Sequence, residues 1–264
     1  MLEIMDAKKT FLKNTPNEHQ ALKGLSLTLK QGDFATIVGS NGAGKSTLFG
    51  AICGNFMLDS GGVFLDGEDI TFYPEHKRAR FIGRVFQDPM KGTAPSMTIE
   101  ENLALAYSRN RSNPFGFAIR KKDSDMFREQ LSRFSMGLED RMDAKVGLLS
   151  GGQRQVVTLL MCTMTVPKLL LLDEHTAALD PATAQKVMEI TKEIVKEKNL
   201  TTMMITHNLT SALETGNRLL MLDSGEIILD VENEEKKKLT IDGIMQLYSQ
   251  KKHKALDNDR MLLS

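Results

Sequence analysis

Between Gly39 and Ser46 the chain reads Gly-Ser-Asn-Gly-Ala-Gly-Lys-Ser, the spacing of a loop whose backbone N–H groups turn inward around phosphate oxygens. Gly39, Gly42 and Gly44 allow the tight path, with Ser40, Asn41 and Ala43 between them, and the helix that follows aims the positive end of its dipole at the same anion. In this arrangement Lys45 bridges the β- and γ-phosphates of ATP, Ser46 is a ligand for Mg²⁺, and Thr47 donates to the α-phosphate. The plainer reading is a glycine-rich turn with a surface lysine. Such a match arises by chance in about one chain in a hundred of this length, before its strand–loop–helix context is counted.

A second chemical requirement appears downstream, where the apolar run Leu169 to Leu172 ends in Asp173-Glu174. Two carboxylates then stand at the carboxyl end of a buried strand, where α/β sheets bind ligands. Asp173 is suited to hold Mg²⁺, directly or through water, and Glu174 to polarise the attacking water as a general base.

The elements that must position these residues can be read from the same stretches. Phe34 to Val38 is a short apolar run between Gly32 and Gly39, a buried strand, and Lys45 to Cys53 is an amphipathic helix with Gly54 as its C-terminal cap. Further strands are expected at Leu169 to Leu172 and Thr201 to Ile205, the latter after a helical pattern from about Pro181 to Lys198. Strands alternating with helices predict an α/β fold with a largely parallel sheet. Asp66-Gly67, between alternating runs from Gly61 to Thr71, predicts an antiparallel hairpin beside that core. Between about Asp88 and Val166 the chain reads as an inserted helical subdomain, interrupted by a polar loop from Ser108 to Lys122. The tail from about Asp230 carries a mixed charge run and an amphipathic stretch, Ile241 to Tyr248.

Composition removes several classes. The 264 residues are 41% hydrophobic and 26% charged, as in ordinary globular proteins, and 34 basic residues balance 34 acidic ones, so no whole-molecule field draws nucleic acid or an anionic membrane. Two cysteines, Cys53 and Cys162, make neither a disulfide framework nor a zinc site. The N-terminus has acidic residues where an export signal would be basic, and the longest apolar run falls far short of the roughly 20 residues of a membrane-spanning helix. Any spanning is expected of other chains.

Many phosphate-loop enzymes fit to this point, kinases and GTPases among them. Leu149-Ser150-Gly151-Gly152-Gln153 separates them. The two glycines expose backbone N–H groups, Ser150 adds a hydroxyl, and a helix toward Thr165 starts there, which makes a second anion site. These five residues are identical to the signature of ABC ATPases, and the chain resembles that family along nearly its whole length, with the motifs in order. The resemblance implies a P-loop NTPase core of RecA-like type with an antiparallel β subdomain and an inserted α-helical subdomain. It implies one ABC domain, with residues 1–87 and 167–230 as catalytic core, 88–166 as helical subdomain and 231–264 as tail.

The resemblance also assigns roles. Gln87 matches the Q-loop glutamine that senses Mg²⁺ and the attacking water, Asp180 closes the D-loop at the dimer interface, and His207 matches the switch histidine on the γ-phosphate. Phe11 falls where an aromatic ring stacks on adenine. The signature of one subunit closes on the ATP held by the other, so the chain is expected to act as a homodimer or beside a related ATPase subunit. Departures are His175 in place of a usual proline, read as a loop residue rather than a second base, and Ala178 in place of a usual serine. Met161, Met164, Met203 and Met204 read as core filling.

The function implied is that of the ATP-hydrolysing subunit of a bacterial ABC transporter at the cytoplasmic face of the membrane, with transmembrane permease subunits and an extracytoplasmic substrate-binding protein as partners and no nucleic acid. The exposed loop Ser108 to Lys122, with Phe115 and Phe117, is a candidate dock for the permease. A stand-alone cassette points to import. The stretches Lys145–Gln155 and Asp173–Asp180 resemble bacterial ATPases proposed to import amino acids, aromatic ones among them. The alternatives are an exporter subunit or an ABC ATPase of translation or DNA repair. Translation factors of this type usually have two cores and repair ATPases long coiled coils, and neither is seen here.

Overall fold

The computed structural model describes residues 1–109 and 119–249. Its elements in chain order are β1 (Leu2–Phe11), β2 (His19–Leu29), β3 (Phe34–Val38), α1 (Lys45–Cys53), β4 (Ser60–Leu65), β5 (Glu68–Asp69), α2 (Glu75–Arg78), β6 (Ile82–Val85), α3 (Ile99–Ser108), α4 (Lys121–Ser132), a 3-10 turn (Val146–Leu148), α5 (Gly151–Thr163), β7 (Leu169–Asp173), α6 (Pro181–Glu197), β8 (Thr201–Ile205), α7 (Leu209–Glu214), β9 (Arg218–Asp223), β10 (Glu226–Glu232) and α8 (Asn233–Lys238). Residues 241 to 249 are helical as well. Two compact units result: residues 1–73 with the described residues from 204 onward, and residues 74–203.

The first unit contains an antiparallel sheet in the order β2-β1-β4-β5. Leu2, Ile4 and Ala7 of β1 are buried, and their alternation is broken by an irregularity at Asp6, which has φ 44°. The expected hairpin is present: β4 and β5 pair antiparallel through Asp66 and Gly67, with φ of 53° and 79°. Two consecutive left-handed residues match the twist of paired strands, and the Asp-Gly dipeptide tolerates them. In the same unit β3 runs parallel to β9, with Val38 opposite Met221, and β9 pairs antiparallel with β10. All five residues of β3 are buried, which is why it reads as a continuous apolar run rather than an alternating one. The end of β8 joins this unit, where Thr206 N–H donates to Ile37 O at 3.1 Å.

In the second unit β6 and β7 are parallel, Ile82 opposite Leu169 and Val85 opposite Leu172. The segment expected to be helical supplies α3, α4 and α5. Thr98 starts α3 through a capping box, accepting from Glu101 N–H at 3.1 Å while Glu101 accepts from Thr98 N–H at 2.7 Å. Ile99, Leu103 and Ala106 then bury one face of α3, and Phe127 and Leu131 do the same for α4, with Tyr107 edge-on to Phe127 at 5.8 Å. On α6 the buried positions Val187, Ile190 and Ile194 recur at helical spacing. Met161, Met203 and Met204 are buried, in keeping with core filling.

Among the described residues no helix is long and apolar enough to cross a membrane. Most of the loop from Ser108 to Lys122, Phe115 and Phe117 included, lies outside the described residues.

Candidate nucleotide-binding site

Strand β3 delivers the chain into the loop Gly39 to Gly44, and α1 starts directly after it. Gly39, Gly42 and Gly44 have φ of 154°, 82° and 102°, and two of them are confined by space as well as by conformation. A Cβ on Gly39 would lie 2.2 Å from Leu222 O, and one on Gly44 2.7 Å from Ala21 O; Gly42 has open space and needs glycine for its φ alone. Gly44 caps α1 without any side-chain bond, so the first N–H groups of the helix are not claimed by a capping residue. Lys45 is 6% exposed and its Nζ donates to Gly39 O at 2.8 Å and Ser40 O at 2.9 Å. Its ammonium is therefore held over the loop. Ser46 is exposed and Thr47 half-buried on the first turn.

Two more expected residues belong to this unit. His207 is exposed, between the end of β8 and Asn208, which caps α7 by accepting from Ser211 N–H at 2.9 Å. The bond from Thr206 to Ile37 puts it beside the strand that feeds the phosphate loop. Phe11 ends β1, half-buried, with its ring edge-on to Phe56 at 5.2 Å and 83° and with Lys9 Nζ 5.5 Å away. Phe56 in turn packs on α1, where a Cβ on Gly50 would meet it at 2.7 Å.

In the second unit the parallel register of β6 and β7 carries Gln87 and the pair Asp173-Glu174 off the same strand ends. Gln87 is exposed. Asp173 Oδ2 accepts from Arg84 Nη2 at 2.8 Å, and the guanidinium of Arg84 stacks on Phe86 at 4.7 Å. Arg84 was invisible to motif reading, since an arginine inside a strand carries no signature. Glu174 has φ 47°, and its carbonyl accepts from Ala177 N–H at 2.9 Å, so the candidate base stands at a sharp turn out of β7.

His175 follows on that turn, as a loop residue should, but its side chain is only 2% exposed. Its Nε2 lies 3.2 Å from Thr191 Oγ1, whose own proton goes to Val187 O at 2.8 Å. A hydroxyl has one proton, so the imidazole is the donor to Thr191. Burial pushes its pKa from 6.5 down to about 4, because nothing charged compensates the loss of water. A buried, neutral ring committed to Thr191 is not a second base, in agreement with the sequence reading.

The signature residues form the start of α5. Ser150 is exposed and caps the helix by a reciprocal pair of bonds, Gln153 N–H to Ser150 Oγ at 3.3 Å and Ser150 N–H to Gln153 Oε1 at 3.2 Å. Gln153 Nε2 also donates to Met136 O at 3.2 Å, and Leu149 is buried as an anchor. Glycine at 152 is a packing requirement: a Cβ there would lie 2.1 Å from Thr183 Cγ2. That contact joins the signature to the first turn of α6, which Asp180 caps by accepting from Thr183 N–H at 3.1 Å. Hydrogen bonds from Thr183 hold the Asp180 carboxyl below the usual range. Arg154 stabilises the approach, donating to the carbonyls of Val146, Gly147 and Leu149.

Phosphate loops serve many enzymes, whereas a self-capped Ser-Gly-Gly helix start packed on the turn after a carboxylate-ended strand narrows the class to ATP-binding cassettes. The chain belongs to the ABC transporter family, whose sequence profile matches residues 22–177. It is 45% identical over 248 residues to the tyrosine transport ATP-binding protein of Clostridioides difficile strain R20291, covering 94% of this chain and 98% of that one. It is 31% identical over 210 residues to the high-affinity branched-chain amino acid transport ATP-binding protein BraG of Pseudomonas aeruginosa, covering 80% of this chain and 85% of that one. A solved dimeric ATP-binding cassette in a post-hydrolysis state, bound to ADP and Pi, superposes with a TM-score of 0.75 at 28% identity, over 88% of this chain and 98% of that one. The chain is thus an ATP-binding subunit of an ABC transporter, and its reaction is ATP hydrolysis coupled to transport.

Proposed function

We propose that this chain powers the import of an amino acid by ATP-driven closure of a head-to-tail dimer. The observation that carries the reading is its likeness, along 94% of its length, to a tyrosine transport ATP-binding protein; likeness to a branched-chain amino acid transport protein supports the same cargo class. The whole chain acts as one ABC ATPase domain, with residues 88–166 as its helical part. Permease subunits span the membrane, this subunit lies peripherally on the cytoplasmic face, and an extracytoplasmic binding protein delivers the cargo.

The residues divide the work. Lys45 and the N–H groups of Gly39 to Thr47 hold the triphosphate, Thr47 takes the α-phosphate, and Phe11 offers its half-exposed ring to adenine. Ser46, Gln87 and Asp173 would provide a hydroxyl, an amide oxygen and a carboxylate, hard oxygen donors of the kind suited to Mg²⁺. Bound there, Mg²⁺ would neutralise charge on the β- and γ-phosphates. Glu174 polarises the attacking water, and His207 contacts the γ-phosphate. Ser150, Gly151 and Gly152 present a hydroxyl and helix N–H groups to ATP on the other subunit, with Leu149 and Gln153 fixing the helix start and Asp180 bordering the interface. Hydrolysis removes the shared anion, and the dimer opens.

The test is co-purification followed by uptake. The reading expects a membrane permease in the detergent extract and ATP-dependent accumulation of labelled tyrosine or a branched-chain amino acid in proteoliposomes. Co-purification with ribosomes or DNA instead, or outward movement of the cargo, refutes import.

A further inference from the structure

The turn Asp223-Ser224-Gly225, between β9 and β10, lies against the phosphate loop at several points. Ser40 Oγ donates to Asp223 Oδ1 at 3.4 Å, and Gly225 N–H donates to Ala43 O at 3.0 Å. Gly39 backs onto Leu222 O, and a Cβ on Gly44 would come within 3.4 Å of Gly225 Cα. Asp223 collects two further hydroxyls, Ser224 on Oδ2 at 3.2 Å and Tyr248 on Oδ1 at 3.3 Å. One carboxylate oxygen thus receives a donor from the phosphate loop and a donor from the helix at residues 241–249.

That helix is anchored. Ile244 is fully buried in a cluster with Val38, Leu219 and Met221, and Tyr248 packs against the same cluster. Val38 is the last residue of β3, immediately before Gly39. The terminal helix therefore touches both the strand that delivers the phosphate loop and the carboxylate that holds the loop's second residue. Ser40 is held at both ends, its hydroxyl on Asp223 and its carbonyl on Lys45 Nζ. A phenylalanine would fill the place of Tyr248 equally well; the hydroxyl adds a directed bond to the group that restrains Ser40.

We infer that Asp223, backed by Tyr248, is a positioning residue for the phosphate loop, and that docking of the terminal helix and nucleotide binding favour each other. The inference rests on the assignment of ATP to this loop. A loop released at Ser40 must be ordered by the ligand, which weakens binding without altering the chemical step. By linkage, a helix whose docking helps nucleotide bind must itself be docked more firmly by nucleotide.

Titration calorimetry with Mg-ADP, paired with ATPase assays, reads this. Tyr248→Phe and Asp223→Ala are expected to raise Kd and KM by about three- to tenfold, the size a lost hydrogen bond of ordinary net strength gives, with kcat at saturating ATP unchanged. Asp223→Asn, which keeps an acceptor oxygen, should restore most of the affinity, and the double variant should be no weaker than Asp223→Ala alone. Mg-ADP should also slow amide hydrogen exchange over residues 241–249 in the wild-type protein. Should Asp223→Ala fail to fold, Tyr248→Phe carries the test, since it removes one oxygen from a half-buried ring. A Kd for Tyr248→Phe within about twofold of wild type, less than one such bond, overturns the inference. So does exchange over 241–249 that Mg-ADP leaves unchanged. Wild-type protein that binds no nucleotide overturns the assignment of the loop itself, a separate result.

Discussion

Helices α1 and α5 each begin at a backbone suited to an anion, and they prepare for it in opposite ways. At α1 the capping residue is Gly44, left-handed at φ 102° and without a side-chain bond, and Lys45 beside it is almost wholly buried. At α5 the capping residue is Ser150, extended and exposed, tied to Gln153 in both directions. The first arrangement places three glycines at positive φ, a backbone by which a loop can turn N–H groups toward one ligand. The second ties Ser150 and Gln153 to each other and still has the Ser150 proton to give, because the oxygen accepts from Gln153 while its O–H is a donor. Under the proposed function it meets a ligand that the other subunit brings. The difference in capping is what the proposed function needs if the two helix starts are to have unequal duties toward phosphate.

The largest effect is expected at Glu174. Glu174→Gln keeps the shape of the turn and removes the base, so hydrolysis should fall by about 10²–10⁴-fold while ATP still binds. With Mg-ATP the variant should elute as a dimer in size-exclusion chromatography with light scattering. If it elutes only as a monomer, the α5 start has no ATP to meet. Lys45→Ala acts at the other helix start and removes one preorganised donor, for an expected loss of about 10²–10³-fold in phosphate release. Unlike Glu174→Gln, it should form no ATP-dependent dimer, since the ligand is lost before it can be shared.

A third region is the buried ring on the turn after β7. Folding keeps His175 neutral, with a pKa of about 4 against 6.5 in the unfolded chain. Below pH 6.5 the unfolded chain therefore takes up a proton that the folded protein refuses. Stability should fall from pH 6.5 toward pH 4 by about 3 kcal/mol and level off below, with no contribution from this group above pH 6.5. Denaturant melts of wild type and His175→Gln across that range give the difference curve. A curve that stays flat shows that the ring is not kept neutral by burial.

What the sequence disclosed and what it withheld follow from the range of the forces involved. Phe34 to Val38, the Gly54 cap and the Asp66-Gly67 hairpin are set by local pattern and backbone conformation, so reading them needed no partner, whereas Lys45 to Cys53, expected to be amphipathic, is a helix buried at all but Ser46 and Thr47. Leu169 and Leu172 mark a strand because both of its faces are covered. Arg84 on Asp173, His175 on Thr191 and the packing of Ile244 on Val38 join residues far apart in sequence, and no spacing announces them. Thr98 and Glu101 are an intermediate case: the capping-box pattern stands in the sequence and marks the start of α3. The long strands β1 and β2 were obscured by the irregularities at Asp6 and beyond, which interrupt alternation.

Gly152 sets how closely α5 approaches α6. A Cβ added at 152 would lie 2.1 Å from Thr183 Cγ2, whereas at Gly151 the nearest atom is Leu179 Cδ2 at 3.1 Å, the tip of a flexible side chain. Gly152→Ala should cost about 1–3 kcal/mol in thermal or denaturant unfolding, as overpacking does. Gly151→Ala should leave the fold nearly intact and act on hydrolysis if it acts at all. Equal destabilisation by the two would mean that the approach of α5 to α6 does not depend on the glycine.

Ser150 has a smaller expected effect on stability than Gly152 and separates the two duties of its hydroxyl. As a cap, its loss in Ser150→Ala should cost about 1 kcal/mol of unfolding free energy. As a donor to ATP on the partner subunit, its loss should slow hydrolysis at high protein concentration, where dimers form, and leave monomer nucleotide affinity untouched, because that affinity belongs to α1. Ser150→Thr keeps both functions in kind, so it should recover stability first and hydrolysis only as far as its methyl group allows the partner to approach. If Ser150→Ala weakens nucleotide binding to the monomer as strongly as it slows the dimer, then α1 and α5 are not independent anion sites.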